Sequence, residues 1–266
     1  MTAGDTPRLG VLVTRPGEQC DSLCALIQSR GYQAHPWPAI DIRPVVPSTA
    51  GLERLSRARP EDLIIFVSKS AVAFGLSFVL EPARMRLAAI GPSTTRALSD
   101  SGLDVDIRPS GFDSESLLAE PALEQVSGKN VYIVRGVGGR EKLGQELQRR
   151  GAEVTYIEVY RRETRRPGSE ERDALMEVWE NGGIGLYTAT SVEILESLYD
   201  QLGPRFAGLL AQTPLVTASR RVVQRSVQLH HRAERILSPG PDDQSLVEAI
   251  AAWQGKALVK AGRQEQ

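Results

Sequence analysis

The feature that most constrains this chain is an internal repeat. Sliding the sequence along itself by 120 residues brings Val11 onto Val131, Arg15 onto Arg135, Leu23 onto Leu143 and Arg30-Gly31 onto Arg150-Gly151. At the same offset Ile64 meets Ile184, Ser68 meets Thr188, Ser70 meets Thr190 and Val72 meets Val192, so FVSKSAV and LYTATSV read as one element. With the offset lengthened to 129, Asp113, Ser116 and Leu117 fall on Asp242, Ser245 and Leu246. Solenoid repeats have periods of about 20 to 50 residues, so a period this long indicates two copies of half a protein.

Each copy alternates short apolar runs with helical patterns. The runs are LGVLVT, DLIIFVS, RLAAIG and DVDIRP in the first copy, and NVYIVR, IGLYTA, PLVTAS and AERILS in the second. In the first copy all but DVDIRP lead into a polar turn and then an amphipathic stretch. Leu23, Leu26, Ile27 and Arg30 keep helical spacing, and Gly31 stands where a helix C-cap glycine belongs. Strands alternating with helices predict parallel sheets covered on both faces, the doubly wound α/β class, with ligands outside the carboxyl ends of the strands. Chemistry is therefore expected in the strand-to-helix turns.

Composition excludes several classes of function. The 266 residues carry 32 Lys+Arg against 33 Asp+Glu, which leaves no global field to hold a nucleic acid. No apolar run approaches the ~18 residues of a membrane span. The start MTAGDTPRLG lacks a signal-peptide layout, so a cytoplasmic protein is expected. Cys20 and Cys24, four apart on one helix, suit buried small hydrophobes better than a disulfide. RGVGGRE (135–141) matches neither GxGxxG nor GxxxxGK[ST], and no HExxH, paired CxxC or GxSxG stands anywhere in the chain. His230 and His231 read as solvated helix-end residues.

The turns themselves share one character. They read TRPGEQ (14–19), SKSA (68–71), GPSTT (91–95), PSGFDSES (109–116), RGVGGRE (135–141), TATS (188–191), ASRR (218–221) and SPGPDDQS (238–245). Each Ser or Thr taken alone is read as a helix cap. Taken together, helix N-termini rich in hydroxyls and arginines suit a ligand bearing several carboxylates or phosphates. Two further segments, PAIDIRPVVP (38–47) and IEVYRRETRRPG (157–168), are related by the offset of 120 and are extended and proline-bounded, as crossing linkers would be. If they pair as strands they tie two domains together, with Tyr160 near the hinge.

VLVTRP, FVSKSAV, AAIGPSTTRAL with GLDVDIRPS after it, VYIVRG followed by L-x-x-RG, and EVYRRE together resemble uroporphyrinogen-III synthases, from about Leu9 to Trp253. The resemblance implies two similar doubly wound parallel-sheet, flavodoxin/Rossmann-like domains joined by a two-stranded β linker. One domain would combine 1–38 with 170–254, the other would be 46–158, with linker strands at 39–45 and 159–169 and a flexible tail at 255–266. It implies closure of the linear tetrapyrrole hydroxymethylbilane into uroporphyrinogen III, with loss of water and inversion of ring D through a spiro intermediate. No cofactor and no metal are used, and the chain is expected to act as a monomer on a small molecule, without nucleic acid or membrane.

By the same resemblance Tyr160 matches a tyrosine that the family places near the cleft, where it would protonate the leaving hydroxyl. A phenol keeps its proton at neutral pH and can donate it. Substrate contacts are expected at Thr14, Arg15, Ser68, Lys69, Ser93, Thr94, Arg135, Gly136, Thr188, Thr190, Ser219 and Arg220. The chain departs from the family pattern at Lys69-Ser70 and Ala189-Thr190, where a Ser-Pro or Ser-x-Asn step is common. Two competing readings are a non-catalytic two-domain clamp that senses an anionic ligand and a nucleotide-sugar transferase built on two facing α/β domains.

Overall fold

The structure, a computed structural model, describes residues 9–79, 85–111 and 113–264. The expectations that touch 1–8, Phe112 and 265–266 lie outside the described residues. In chain order the elements begin with β1 (Gly10–Val13), α1 (Glu18–Ser29), β2 (Gln33–Pro36), β3 (Ile40–Pro44), α2 (Thr49–Leu55), β4 (Leu63–Phe66) and α3 (Lys69–Gly75). They continue with β5 (Arg86–Ala89), α4 (Pro92–Asp100), α5 (Ser114–Leu118), β6 (Asn130–Gly136), α6 (Lys142–Arg149) and β7 (Glu153–Thr164). The last are α7 (Ser169–Glu180), β8 (Leu186–Thr188), α8 (Val192–Gln212), β9 (Leu215–Thr217), α9 (Arg220–Gln228), β10 (Arg235–Leu237) and α10 (Asp243–Gln264).

Two compact units result, one of Met1–Asp41 with Glu163–Gln266 and one of Ile42–Arg162. The chain passes from one to the other within β3 and again within β7, so strands link two α/β units. The first unit holds a parallel sheet in the order β10-β9-β8-β1-β2. Period-2 alternation splits its strand residues between two cores. Leu12, Tyr187 and Leu215 pack with α7, α8 and α9, while Val11, Val13, Leu186 and Val216 pack with α1 and α10, where Cys20 and Cys24 lie buried and unoxidised.

The second unit holds the order β3-β7-β6-β4-β5, in which β7, β6, β4 and β5 run parallel. Ile64, Phe66, Tyr132 and Val134 face α2, α3 and α4, and Leu63, Ile65, Val131 and Ile133 face α5 and α6. The linking strands contribute to both units: Ile40 is buried in the first core, and Ile42 packs on the second.

The repeated residues have identifiable local jobs. At the end of α1 the N–H of Gly31 bonds the Gln28 carbonyl and that of Tyr32 bonds Ile27; after α6 Gly151 bonds Gln148 and Ala152 bonds Leu147. Both glycines sit at positive φ, 84° and 87°, so Arg-Gly recurs because each helix ends in the same left-handed C-cap. The matches at offset 129 are a matched N-cap. Asp113 accepts from Ser116 N–H and Oγ–H, and Asp242 accepts from Ser245 N–H and Oγ–H, opening α5 and α10 alike.

Three expectations are corrected. DVDIRP (104–109) forms a single bridge, Ala88 with Ile107, rather than a strand, because the Asp106 carboxylate takes the Leu87 N–H that a neighbouring strand would claim. The segment from 255, expected as a tail separate from the domains, continues α10 as far as Gln264. His231 is buried beside the Tyr187 hydroxyl, not solvated. Conversely β2, QAHP with no buried alternation, gave no sequence signal and is held as an edge strand by β1 alone.

Candidate functional site

In the second unit the carboxyl ends of β4, β6 and β7 gather Ser68, Arg135, Gly136 and Tyr160. β4 has β5 on one side and β6 on the other, so the point where strand order reverses lies between β4 and β6. Ser68 caps α3, its Oγ accepting the Ala71 N–H at 3.0 Å. The same Oγ lies 3.1 Å from the hydroxyl of Tyr160, a residue only 4% exposed.

A β-bulge sets that geometry. β6 and β7 pair in register as far as Arg135 with Glu158, and then Gly136 pairs with Tyr160, leaving Val159 over. Strict alternation would put Tyr160 on the Glu158 face. The bulge turns it instead into the core that holds Ile157 and Val159. Gly136 makes room, since a Cβ there would stand 2.6 Å from the tyrosine ring. Val137 N–H donates to the Tyr160 carbonyl at 2.8 Å, and the Phe74 ring packs 6.4 Å away, centroid to centroid.

Arg135 is 8% exposed and held inside the unit. Its guanidinium bonds Glu158 at 3.0 Å and the Gly139 carbonyl at 3.1 Å, and its central carbon lies 3.7 Å over the Tyr156 ring. Lys69, next to Ser68, is exposed. At the end of β5, Pro92 is the first residue of α4 and Gly91, its N-cap, offers no side chain. Ser93 is exposed there, while Thr94 is buried with its hydroxyl unpartnered.

In the first unit Thr14 and Thr188 meet across β1 and β8, both fully buried. The Thr14 hydroxyl donates to the Thr188 carbonyl, and the Thr188 hydroxyl lies 3.4 Å from the Leu12 carbonyl. They knit the two strands where the order of this sheet reverses. Arg15 is engaged as well: its guanidinium pairs with Asp243 and the Pro241 carbonyl, fixing the start of α10 over the turn after β1. Burial draws its pKa below the usual value, with Asp243 and Asp242 pulling the other way. Thr190 is half-buried. Ser219 begins α9 with its N–H on the Thr217 hydroxyl, and Arg220 follows it exposed.

The pairing of Ser68 with Thr188 is corrected by strand register. Leu63 lies opposite Val131 and Leu186 opposite Val11, and Val11 and Val131 are repeat partners, so Leu63 corresponds to Leu186 at an offset of 123. The counterpart of Ser68 is therefore Ser191, which caps α8 by accepting the Ile194 N–H at 3.1 Å as Ser68 accepts Ala71. Ser191 stands in the turn TATS (188–191), whose Ser and Thr residues read singly as helix caps, and it was not among the expected substrate contacts. Among the described residues no group of three or more His, Cys, Asp or Glu could hold a metal ion.

The comparisons with known proteins agree with one another. The family model described as Uroporphyrinogen-III synthase HemD matches residues 21–248. The uroporphyrinogen-III synthase of Salmonella typhimurium LT2 is 30% identical over 251 residues, covering 91% of this chain and all of its own. That of Escherichia coli K12 is 33% identical over 198 residues, 72% of this chain and 79% of its own. In fold, the crystal structure of uroporphyrinogen-III synthetase from Helicobacter pylori 26695 superposes with a TM-score of 0.62 at 13% identity, over 92% of this chain and 99% of that one. With the model match spanning most of its length, this chain belongs to the uroporphyrinogen-III synthase family.

Proposed function

We propose that this chain closes hydroxymethylbilane into uroporphyrinogen III with loss of water, inverting ring D through a spiro intermediate, and that each unit is doubly wound in the flavodoxin-like sense. Strand orders that reverse between β1 and β8 and between β4 and β6, with a core on each face of both sheets, support the second part. The observation that carries the first is Tyr160, turned by a bulge at the carboxyl edge of its sheet and hydrogen-bonded to Ser68.

Ser68 Oγ already accepts the Ala71 N–H and has its own proton to give to the Tyr160 oxygen. The tyrosine then keeps its proton for the hydroxymethyl group of the substrate. As that proton moves, the C–O bond breaks, water leaves and a cationic azafulvene remains. The substituted α-carbon of ring D attacks the exocyclic methylene of that cation to give the spiro intermediate; the bond from the same carbon to the ring C bridge then breaks, and the cationic bridge methylene so released is captured by the free α-carbon of ring D, which leaves the ring reversed. The proton lost when the last pyrrole regains aromaticity restores the tyrosine.

Positioning supplies much of the acceleration. The substrate carboxylates fall to the exposed donors Lys69, Ser93 and Arg220, to the hydroxyls of Thr190 and Ser219, and to the first turns of α4, α8 and α9. The test is a coupled assay in which purified chain receives freshly made hydroxymethylbilane and the oxidised products are resolved by isomer. Isomer III is expected. Isomer I alone refutes the enzymatic reading and favours a ligand-binding clamp. Within the assay Tyr160→Phe is expected to lower kcat about tenfold rather than abolish it, because the substrate ionises with little acid help.

A further inference from the structure

We propose that Arg135 is a positioning residue for Tyr160 and does not hold a substrate carboxylate; the inference rests on the reading of Tyr160 as proton donor. Arg135 occupies the last regular pair of β6 and β7, opposite Glu158, immediately before the bulge. Its guanidinium reaches in two directions. One arm bonds Glu158 and the plane stacks on Tyr156, so it grips the two β7 residues that share the opposite face from Tyr160. The other arm bonds the Gly139 carbonyl and so closes the turn 136–139. That turn carries both backbone contacts of Tyr160, the tight approach of Gly136 to the ring and the Val137 N–H on the Tyr160 carbonyl.

The strand before the bulge and the turn after it are thus joined through one side chain. Without it the turn keeps the Gly139 N–H on the Gly136 carbonyl and the Val137 N–H on that of Tyr160, but it loses the side-chain tie between Gly139 and Glu158, and the ring of Tyr160 is held less firmly. A lysine cannot replace it, since a single ammonium has neither the fork that reaches Glu158 and Gly139 together nor the plane that stacks on Tyr156. A guanidinium that is 8% exposed needs partners, and Arg135 has them within its own unit for both terminal nitrogens, while its Nε is buried without one. Its repeat partner Arg15 is used in the same way, tied to Asp243 and the Pro241 carbonyl.

The experiment is a double-mutant cycle on the full chain. Arg135→Gln and Tyr160→Phe are made singly and together, with kcat and KM measured on hydroxymethylbilane. The Tyr160 ring resonance is followed by 13C-tyrosine NMR and assigned from its loss in Tyr160→Phe. Arg135→Gln is expected to lower kcat about tenfold with KM changed less than about twofold, to add no further loss in the Tyr160→Phe background, and to shift the Tyr160 resonance. A raised KM, losses that multiply, or an unmoved resonance overturn the proposal. If Tyr160→Phe alone is fully active, the proton-donor reading fails, and the resonance still decides whether Arg135 sets the ring. Should Arg135→Gln not fold, Arg135→Lys, which keeps a charge beside Glu158, gives the same three readouts.

Discussion

Adding one methyl group at Gly136 is the smallest perturbation that reaches Tyr160 without altering it. A Cβ at that position would lie 2.6 Å from Cε2 and 2.7 Å from Cζ of the tyrosine ring. Non-bonded carbons rest at about 3.5–4.0 Å, so the ring must retreat by about 1 Å. Its hydroxyl starts 3.1 Å from Ser68 Oγ, and a shift of that size carries it out of hydrogen-bonding range unless the α3 cap moves too. The backbone itself takes alanine readily, since Gly136 is not among the described residues with positive φ. What remains is overpacking at a residue that is 4% exposed, a cost of about 1–3 kcal/mol. Gly136→Ala should therefore lower the urea midpoint and, by misplacing the hydroxyl by about 1 Å, lower kcat by up to about tenfold, the loss expected when that hydroxyl is removed altogether. The same substitution in a Tyr160→Leu background should cost little stability, because the ring it strikes is gone. Wild-type stability and kcat in Gly136→Ala, or an equal stability loss with the ring removed, would refute the reasoning.

Other sites give separate expectations. Asp62 is fully buried and accepts from the N–H groups of Arg59 at 2.8 Å and Asn130 at 3.0 Å and from both their side chains, so Asp62→Ala should cost about 3 kcal/mol in urea unfolding at pH 7. Burial pushes this carboxyl up, but the bonds from Arg59 and Asn130 outweigh it and hold the pKa below the usual value. Its contribution is thus present above the unfolded value of about 3.9 and lost as pH falls through the lower folded one, so the gap between wild type and variant should close in that acid window. His231 is held below its usual pKa, by burial first and then by Arg235. The unfolded chain therefore binds the extra proton below about pH 6.5, and wild type should lose stability from there down to the folded pKa. His231→Gln should flatten that fall in urea midpoints measured between pH 8 and pH 5, leaving the share of His35, which burial also holds low. Gly31→Ala and Gly151→Ala both force a side chain to positive φ at about 1 kcal/mol; Gly151→Ala should melt lower, because its Cβ would also stand 2.8 Å from Ser127 Oγ whereas nothing lies within 4 Å at Gly31.

Much of the architecture was legible in the order of the residues because its causes are local. Arg30-Gly31 and Arg150-Gly151 repeat since each ends a helix through bonds spanning five residues, and Asp113-Ser116 and Asp242-Ser245 repeat since each opens one over three. The apolar runs LGVLVT, DLIIFVS and NVYIVR became β1, β4 and β6 because residues buried on both faces of a parallel sheet must all be apolar. The expectation of chemistry in the turns rested on no more than that alternation.

The state of each side chain in those turns was another matter. Arg15 and Arg135 read as free cations, yet Asp243, 228 residues along the chain, takes one, and the turn and strand beside it take the other. Thr14 and Thr188 read as ligand hydroxyls, and in the structure they bond across β1 and β8. Register moved the partner of Ser68 from Thr188 to Ser191, and a single residue with no partner on β6, Val159, turned Tyr160 onto the face where Ser68 could meet it. Pattern and capping act over a few residues, so the sequence by itself determined the two copies, their strands and their helix ends. Which donors stay free, and which way the tyrosine points, depends on pairings between segments far apart in the chain, and those exist only once the sheets have formed.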